Sequence, residues 1–247
     1  MPRGKRLTFD NAIFHIINRG NARQDIFHDN EDFEKFLQIL AHYKDKFGFK
    51  MYHFCLIPNH HHFEWKIPRA QILSKAMQGI ALSYSRYYHA KYKTVGYLWQ
   101  GRFKNMVVEM EDYAMRLGVY IERNTVRAGL VKDPGDWKWS SYRFYAYGEP
   151  IRIALVGAGG VRKWIELIDP DPFYEGFGRD SVERQKNYRE FVLGMDDEKI
   201  RAGLPFQDGG VLGSKRFKKE MVEIMEKLGM LVRSEKRGRP AKNETLS

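Results

Sequence analysis

The spacing of apolar residues changes period several times over the first 150 positions, and each change marks a new element. Residues 11–19 (NAIFHIINR) read as a strand with Ile13, Phe14, Ile16 and Ile17 available for burial. Gly20-Asn21 makes a turn. Asn30 or Asp32 can cap a helix that runs to about Phe47, because Phe33, Phe36, Leu37 and Leu40 recur at helical spacing and Gly48 then stops the chain. Residues 50–57 form a second strand, Pro58-Asn59 a tight connection, and residues 60–67 a third strand. Pro68 opens a long helix over about 69–92, and Gly96 breaks it. Residues 102–110 form a fourth strand. A further helix starts at Glu111 or Asp112 and ends near Asn124. The expected fold class is α+β, with the ferredoxin-like order β-α-β-β-α-β, an antiparallel sheet with helices on one face, and one extra helix. That frame serves many functions, so chemistry has to be argued from the site.

After about Pro150 the periodicity weakens. Residues 179–193 and 214–228 read as helices, the second with Phe217, Met221, Ile224, Met225 and Leu228 near helical spacing. The division expected is residues 1–150 as the main domain, 151–233 as a mostly helical extension, and 234–247 as a basic, flexible tail. Gly157-Ala158-Gly159-Gly160 imitates a dinucleotide loop, but Arg162 stands where the last glycine would be needed, so that reading is rejected.

Charge changes the picture more than composition does. The formal net charge is +11 over 247 residues, which favours polyanionic partners. No acidic residue lies between Glu64 and Glu109, a stretch holding Lys66, Arg69, Lys75, Arg86, Lys91, Lys93, Arg102 and Lys104. Trp65, Tyr84, Tyr87, Tyr88, Tyr92, Tyr97, Trp99 and Phe103 are interleaved with them. Cations neutralise phosphates while aromatic faces stack unpaired bases. The competing reading is a core helix whose tyrosines point inward. No apolar run approaches the roughly 20 residues a bilayer demands, and the basic N-terminus is not followed by an apolar signal core. The single cysteine, Cys55, excludes an intramolecular disulfide. A cytoplasmic protein with no membrane contact is expected.

The strongest chemical signal is His60-His61-His62. On a strand, side chains alternate faces, so His60 and His62 point together and His61 points away. Two imidazoles on one face can share a divalent ion; a solvated histidine cluster at a sheet edge is the alternative. Fourteen tyrosines compete as nucleophiles. Tyr120 stands out because Asn124 follows four residues later on the same helical face, where a phenol and an oxygen ligand could approach one ion. Unaided, a half-buried core tyrosine is the preferred reading of Tyr120.

A resemblance decides between these readings. Cys55-Leu56-Ile57-Pro58-Asn59-His60-His61-His62-Phe63 resembles the His-hydrophobic-His strand of the IS200-like and REP-associated single-tyrosine transposases, with His61 standing where that family has an aliphatic residue. Asn18-Arg19-Gly20-Asn21 with Ile26-Phe27, Trp99-Gln100-Gly101-Arg102-Phe103-Lys104, Tyr120-Ile121-Glu122-Arg123-Asn124, Val126-Arg127-Ala128-Gly129-Leu130 and Trp137-Lys138-Trp139-Ser140-Ser141-Tyr142 are similar to further family blocks, in family order. Thr125 replaces the usual proline.

The resemblance implies a transposase that cuts and rejoins single-stranded DNA at palindromes folded as hairpins. It implies Tyr120 as the nucleophile and His60, His62 and Asn124 as ligands of Mg²⁺ or Mn²⁺, in a protein that is a monomer or a homodimer. A 5′-phosphotyrosine would conserve the bond energy for rejoining. Arg19, Arg23, Trp99, Gln100, Arg102 and Lys104 are candidates for phosphate or base contacts. In the tail, Arg237-Gly238-Arg239-Pro240 matches an AT-hook core, so Arg237 and Arg239 are candidates for the minor groove. Three alternatives stay open: a non-enzymatic nucleic-acid-binding module, a metal-dependent hydrolase that uses water, and a domesticated nuclease.

Overall fold

The computed structural model describes residues 7–110, 112–196, 198 and 209–227. Strand β1 (Ala12–Arg19) sits inside a five-stranded sheet whose order is β2 (Lys50–Ile57), β3 (His60–Ile67), β1, β4 (Lys104–Val108) and β7 (Val211–Leu212). Its neighbours β3 and β4 both run antiparallel to it, and β2 is antiparallel to β3. The short β7 pairs parallel with β4, so the sheet is mixed. Helix α1 (Asn30–Phe47) begins where the Asp29 carboxylate accepts from the Asp32 N–H, and ends at Gly48 in the left-handed conformation (φ 65°).

Register separates the two faces of the sheet. Phe14 opposes Trp65, Ile16 opposes Phe63, and Phe54 also opposes Phe63, so these side chains share one face. That face receives α1 and α2 (Ala70–Tyr92): the Phe36 ring lies 6.3 Å from Phe63 and 5.1 Å from Tyr84. The tyrosines of α2 serve this packing. Tyr84 donates to the Ile26 carbonyl, while Tyr87 and Tyr92 donate to the buried Asp32 carboxylate. Lys91 pairs with Asp29 and Asp32. Tyr84, Tyr87, Tyr92 and Lys91 of the acid-free stretch are therefore occupied within the fold.

His15, Ile17, His53, Cys55, His60, His62 and Glu64 point to the opposite face. Helix α3 (Asp112–Glu122) covers it, so helices lie on both faces and not on one. This helix stops earlier than its apolar spacing predicts, and Asn124 begins a separate turn, α4 (Asn124–Arg127). The cause is local. The Asn124 amide donates to the Tyr120 carbonyl (3.0 Å), which the Asn124 backbone N–H would otherwise use to continue the helix. Strand β4 is shorter than expected, leaving Arg102 and Phe103 in the loop before it.

Among the described residues, the stretch after Pro150 holds strands as well as helices. It starts with a hairpin, β5 (Arg152–Val156) and β6 (Arg162–Glu166), turned by the glycine-rich run at 157–160. The hairpin packs on α1, and α6 (Ser181–Gly194) packs on α5 (Tyr142–Tyr147). Helix α7 (Lys215–Lys227) follows β7. Among the described residues, no helix is long and apolar enough to cross a membrane.

Candidate active site

Strand alternation sets the histidine geometry. The rings of His60 and His62 lie 5.0 Å apart, whereas His61 turns to the other face and stacks on Phe63 at 4.3 Å. His62 is 3% exposed. Its Nδ1 lies 3.0 Å from His15 Nε2, and its own Nε2 is buried with no hydrogen-bond partner. His60 Nδ1 meets Asn59 Oδ1 at 2.5 Å. In the tautomers with the proton on Nδ1, both rings offer the Nε2 lone pair, and a bonded Nδ1 is the usual way that a ligating imidazole is aimed. Burial, reinforced by Arg19, lowers the pKa of His60 to about 4; burial, with the neighbouring histidines and Arg127, holds His62 well below 6.5. Both are neutral near pH 7, as metal ligation requires.

Tyr120 comes into the same place from α3. Its ring stands edge-on to His62 at 5.8 Å and to His15 at 5.8 Å. The guanidinium of Arg127 lies over the Tyr120 ring at 4.1 Å and donates to the Tyr120 carbonyl. The structure thus gathers His60, His62 and Tyr120. Asn124 is buried nearby, but its amide bonds the Tyr120 and Ile121 carbonyls and makes no hydrogen bond to either histidine. Among the described residues no three His, Cys, Asp or Glu side chains form a metal cage. An orphaned imidazole nitrogen beside a second neutral imidazole fits a divalent ion whose remaining ligands are oxygens.

Beside the histidines, Arg19, Gln100, Arg102 and Lys104 line a cavity of about 330 Å³ together with Ile17 and Asn18. Two of its lining residues, Arg19 and Ile17, oppose His60 and His62 in the sheet register. A bond from the Gln100 N–H to the Arg19 carbonyl ties the 99–102 loop to the end of β1. Trp99 does not line this cavity. Its indole N–H is taken by the Ala81 carbonyl and the Ser85 hydroxyl, and it lines a neighbouring apolar cavity of about 670 Å³ with Arg102 and Phe103. Arg23 is exposed in the turn after β1, where its carbonyl accepts from Asn59. Arg237 and Arg239 lie outside the described residues.

Sequence reasoning missed two members of the site. His15 was readable as a polar break in an apolar strand, but pairing it with His62 required the β1–β3 register. Arg127 sits in a recognisable block, yet its stacking on Tyr120 depends on the turn between α3 and α4.

Residues 8–124 match the model of the family described as "Transposase IS200 like". No curated protein matches the chain. Among solved structures, a REP-associated tyrosine transposase bound to a REP hairpin is similar at 20% identity and TM-score 0.50, covering 60% of this chain and 87% of that one. A crystal structure from Deinococcus radiodurans R1 overlaps more loosely, at 15% identity and TM-score 0.35 over 53% of this chain and 92% of that one. Over residues 8–124 the chain is thus similar to the IS200-like transposases, in keeping with the motifs of that stretch.

Proposed function

We propose that this protein cuts one strand of hairpin-forming DNA with Tyr120 and can rejoin it to another end, on a ferredoxin-like frame. The observation that carries the reading is the meeting of the Tyr120 ring with His62 and His15, beside His60 on one sheet face. The similar REP-associated transposase binds a hairpin, and the basic cavity lined by Arg19, Arg102 and Lys104 suits a DNA backbone leading to Tyr120.

His60 Nε2 and His62 Nε2 would hold a Mg²⁺ or Mn²⁺ ion, with Asn124 supplying an oxygen once its amide turns from its own helix. The ion would polarise the scissile phosphate and stabilise the charge that develops on it. The Tyr120 oxygen attacks phosphorus in line as its proton passes to water. The P–O3′ bond breaks, and the leaving oxygen takes a proton to become a free 3′-OH. The product is a 5′-phosphotyrosine ester, which another 3′-OH can attack in reverse. Arg127, already against the Tyr120 ring, offers a cation to the bound phosphate. His15 fixes the orientation of His62.

The test uses a hairpin oligonucleotide labelled on the 5′-phosphate side, with Mg²⁺ or Mn²⁺. A slowly migrating protein–DNA band on a denaturing gel is expected from wild type and not from Tyr120→Phe, which removes one oxygen and little volume. Cleavage by Tyr120→Phe would mean that water or another tyrosine is the nucleophile, and release of a 5′-phosphate without a protein adduct would point to water. Tight hairpin binding with no cleavage would leave a binding module.

A further inference from the structure

Beneath α3 lies a second buried polar cluster that the cleavage chemistry does not use. The Glu122 carboxylate is fully buried. It meets His53 Nδ1 at 2.9 Å and accepts from the Ser141 hydroxyl (2.6 Å) and the Tyr188 hydroxyl (2.7 Å). His53 Nε2 faces Asp171 Oδ2 at 3.5 Å. Asp171 in turn is held by Tyr145, whose hydroxyl oxygen accepts its N–H and whose ring stacks on His53 at 4.6 Å. Three parts of the chain therefore converge: β2 through His53, α3 through Glu122, and the region beyond residue 150 through Asp171 and Tyr188.

Gly118 shows how closely α3 is seated. A Cβ at this position would lie 2.5 Å from His53 Nε2. Gly118 and Glu122 are one helical turn apart on the same face, and both contact the His53 ring. Tyr120 lies midway between them in sequence. We propose that His53, Glu122, Asp171 and Tyr188 are positioning residues: their network fixes the rotation of α3 on the sheet, so the chain beyond residue 150 sets where the Tyr120 hydroxyl points. The inference rests on the reading of Tyr120 as nucleophile.

Geometry gives the sensitivity. A helix backbone radius of about 2.3 Å plus a tyrosine reach of roughly 6.5 Å puts the hydroxyl about 9 Å from the axis, so a rotation of about 10° moves it by roughly 1.5 Å. Misplacement of about 1 Å can slow a reaction about 10²-fold. Removing one hydroxyl or one charge at the far end of the network would therefore affect turnover more than DNA binding.

The experiment uses the full chain with 3-fluorotyrosine at position 120 and follows its ¹⁹F resonance, which reports ring packing whether or not DNA is cut. Tyr188→Phe and Asp171→Asn are compared with wild type and with Leu73→Ala, a cavity variant on α2 at the opposite face. The expected result is a shifted or broadened fluorine signal in both network variants and an unchanged signal in Leu73→Ala, each measured well below its melting temperature. In parallel, kcat for hairpin cleavage should fall by up to about 10²-fold in the network variants while Kd for the hairpin holds. If Tyr188→Phe and Asp171→Asn lower the melting temperature but leave the resonance where it is, the network is merely structural and the inference is overturned. Absence of cleavage by wild type would sink the assignment of Tyr120, while the fluorine signal would still decide whether the network positions its ring.

Discussion

Replacing His61 by leucine tests the division of labour within the three-histidine run. His61 is 1% exposed, and its Nδ1 is buried without a partner. A buried unsatisfied polar group costs about 1–3 kcal/mol, which leucine would recover. Against that stands the loss of ring contacts with Phe63 at 4.3 Å, Phe36 at 5.2 Å and Trp99 at 5.8 Å. Such contacts contribute about 0.5–1.5 kcal/mol beyond their area. The opposing effects nearly cancel, so the stability of His61→Leu should stay within about 1 kcal/mol of wild type, a shift in Tm of no more than roughly 4 °C for a chain of this size. Circular-dichroism melts measure this, and titration calorimetry with Mn²⁺ measures the ligand set. His61→Leu should bind Mn²⁺ like wild type, whereas His60→Ala and His62→Ala should not. A folded His61→Leu that loses Mn²⁺ as fully as His62→Ala would refute the assignment by strand face.

Two further outcomes follow from the electrostatics. Burial alone would push His53 down, but the Asp171 and Glu122 carboxylates beside its two ring nitrogens and the nearby Glu64 outweigh burial and lift it to about 10. Because this pKa lies above the unfolded value of 6.5, the stabilisation is fully present below about pH 6.5 and is lost as pH rises through about 10. The Tm of wild type should therefore fall between pH 7 and 10 more steeply than that of His53→Gln; parallel curves would show that His53 is not held as a cation. Arg102→Ala or Lys104→Ala should weaken hairpin binding and reduce the slope of log K against log salt by roughly 1 each. An unchanged slope would remove the cavity they line from the DNA path.

The frame was legible in the sequence because its elements are strongly periodic and cleanly punctuated. Phe33, Phe36, Leu37 and Leu40 repeat at helical spacing, and Gly48 closes α1 where a left-handed residue is needed. The His60/His62 pair followed from alternation alone. What stayed hidden depends on contacts distant in sequence. The hairpin at 152–166 has mixed, half-exposed strands with no dominant period, so it reads as irregular. The break after Glu122 arises from a side-chain amide competing for a backbone carbonyl, which helical spacing cannot show. Part of the acid-free run at 64–109 serves the fold in a way the run itself does not show, because Asp29 and Asp32, outside that window, pair with Lys91 and anchor tyrosines of α2.

The family-matched stretch ends at residue 124, yet the polar face under α3 is completed only by residues that follow. Glu122 takes two of its three hydrogen bonds from Ser141 and Tyr188, and His53 faces Asp171. A chain cut at residue 150 keeps Ser141 but loses Asp171 and Tyr188, leaving His53 and Glu122 to face each other in a pocket opened to water. Breaking a buried ionic network by removing a partner costs about 3–5 kcal/mol, a large share of the total of about 5–15 kcal/mol that holds a domain together. The fragment 1–150 should therefore melt far below the full chain, or without a cooperative transition, whereas 1–196 should retain most of the melting temperature. The comparison needs only thermal melts of the two fragments and the intact protein. If 1–150 unfolds cooperatively at the temperature of the full chain, the residues beyond 150 form a dispensable appendage, and the buried network contributes nothing to holding α3 on the sheet.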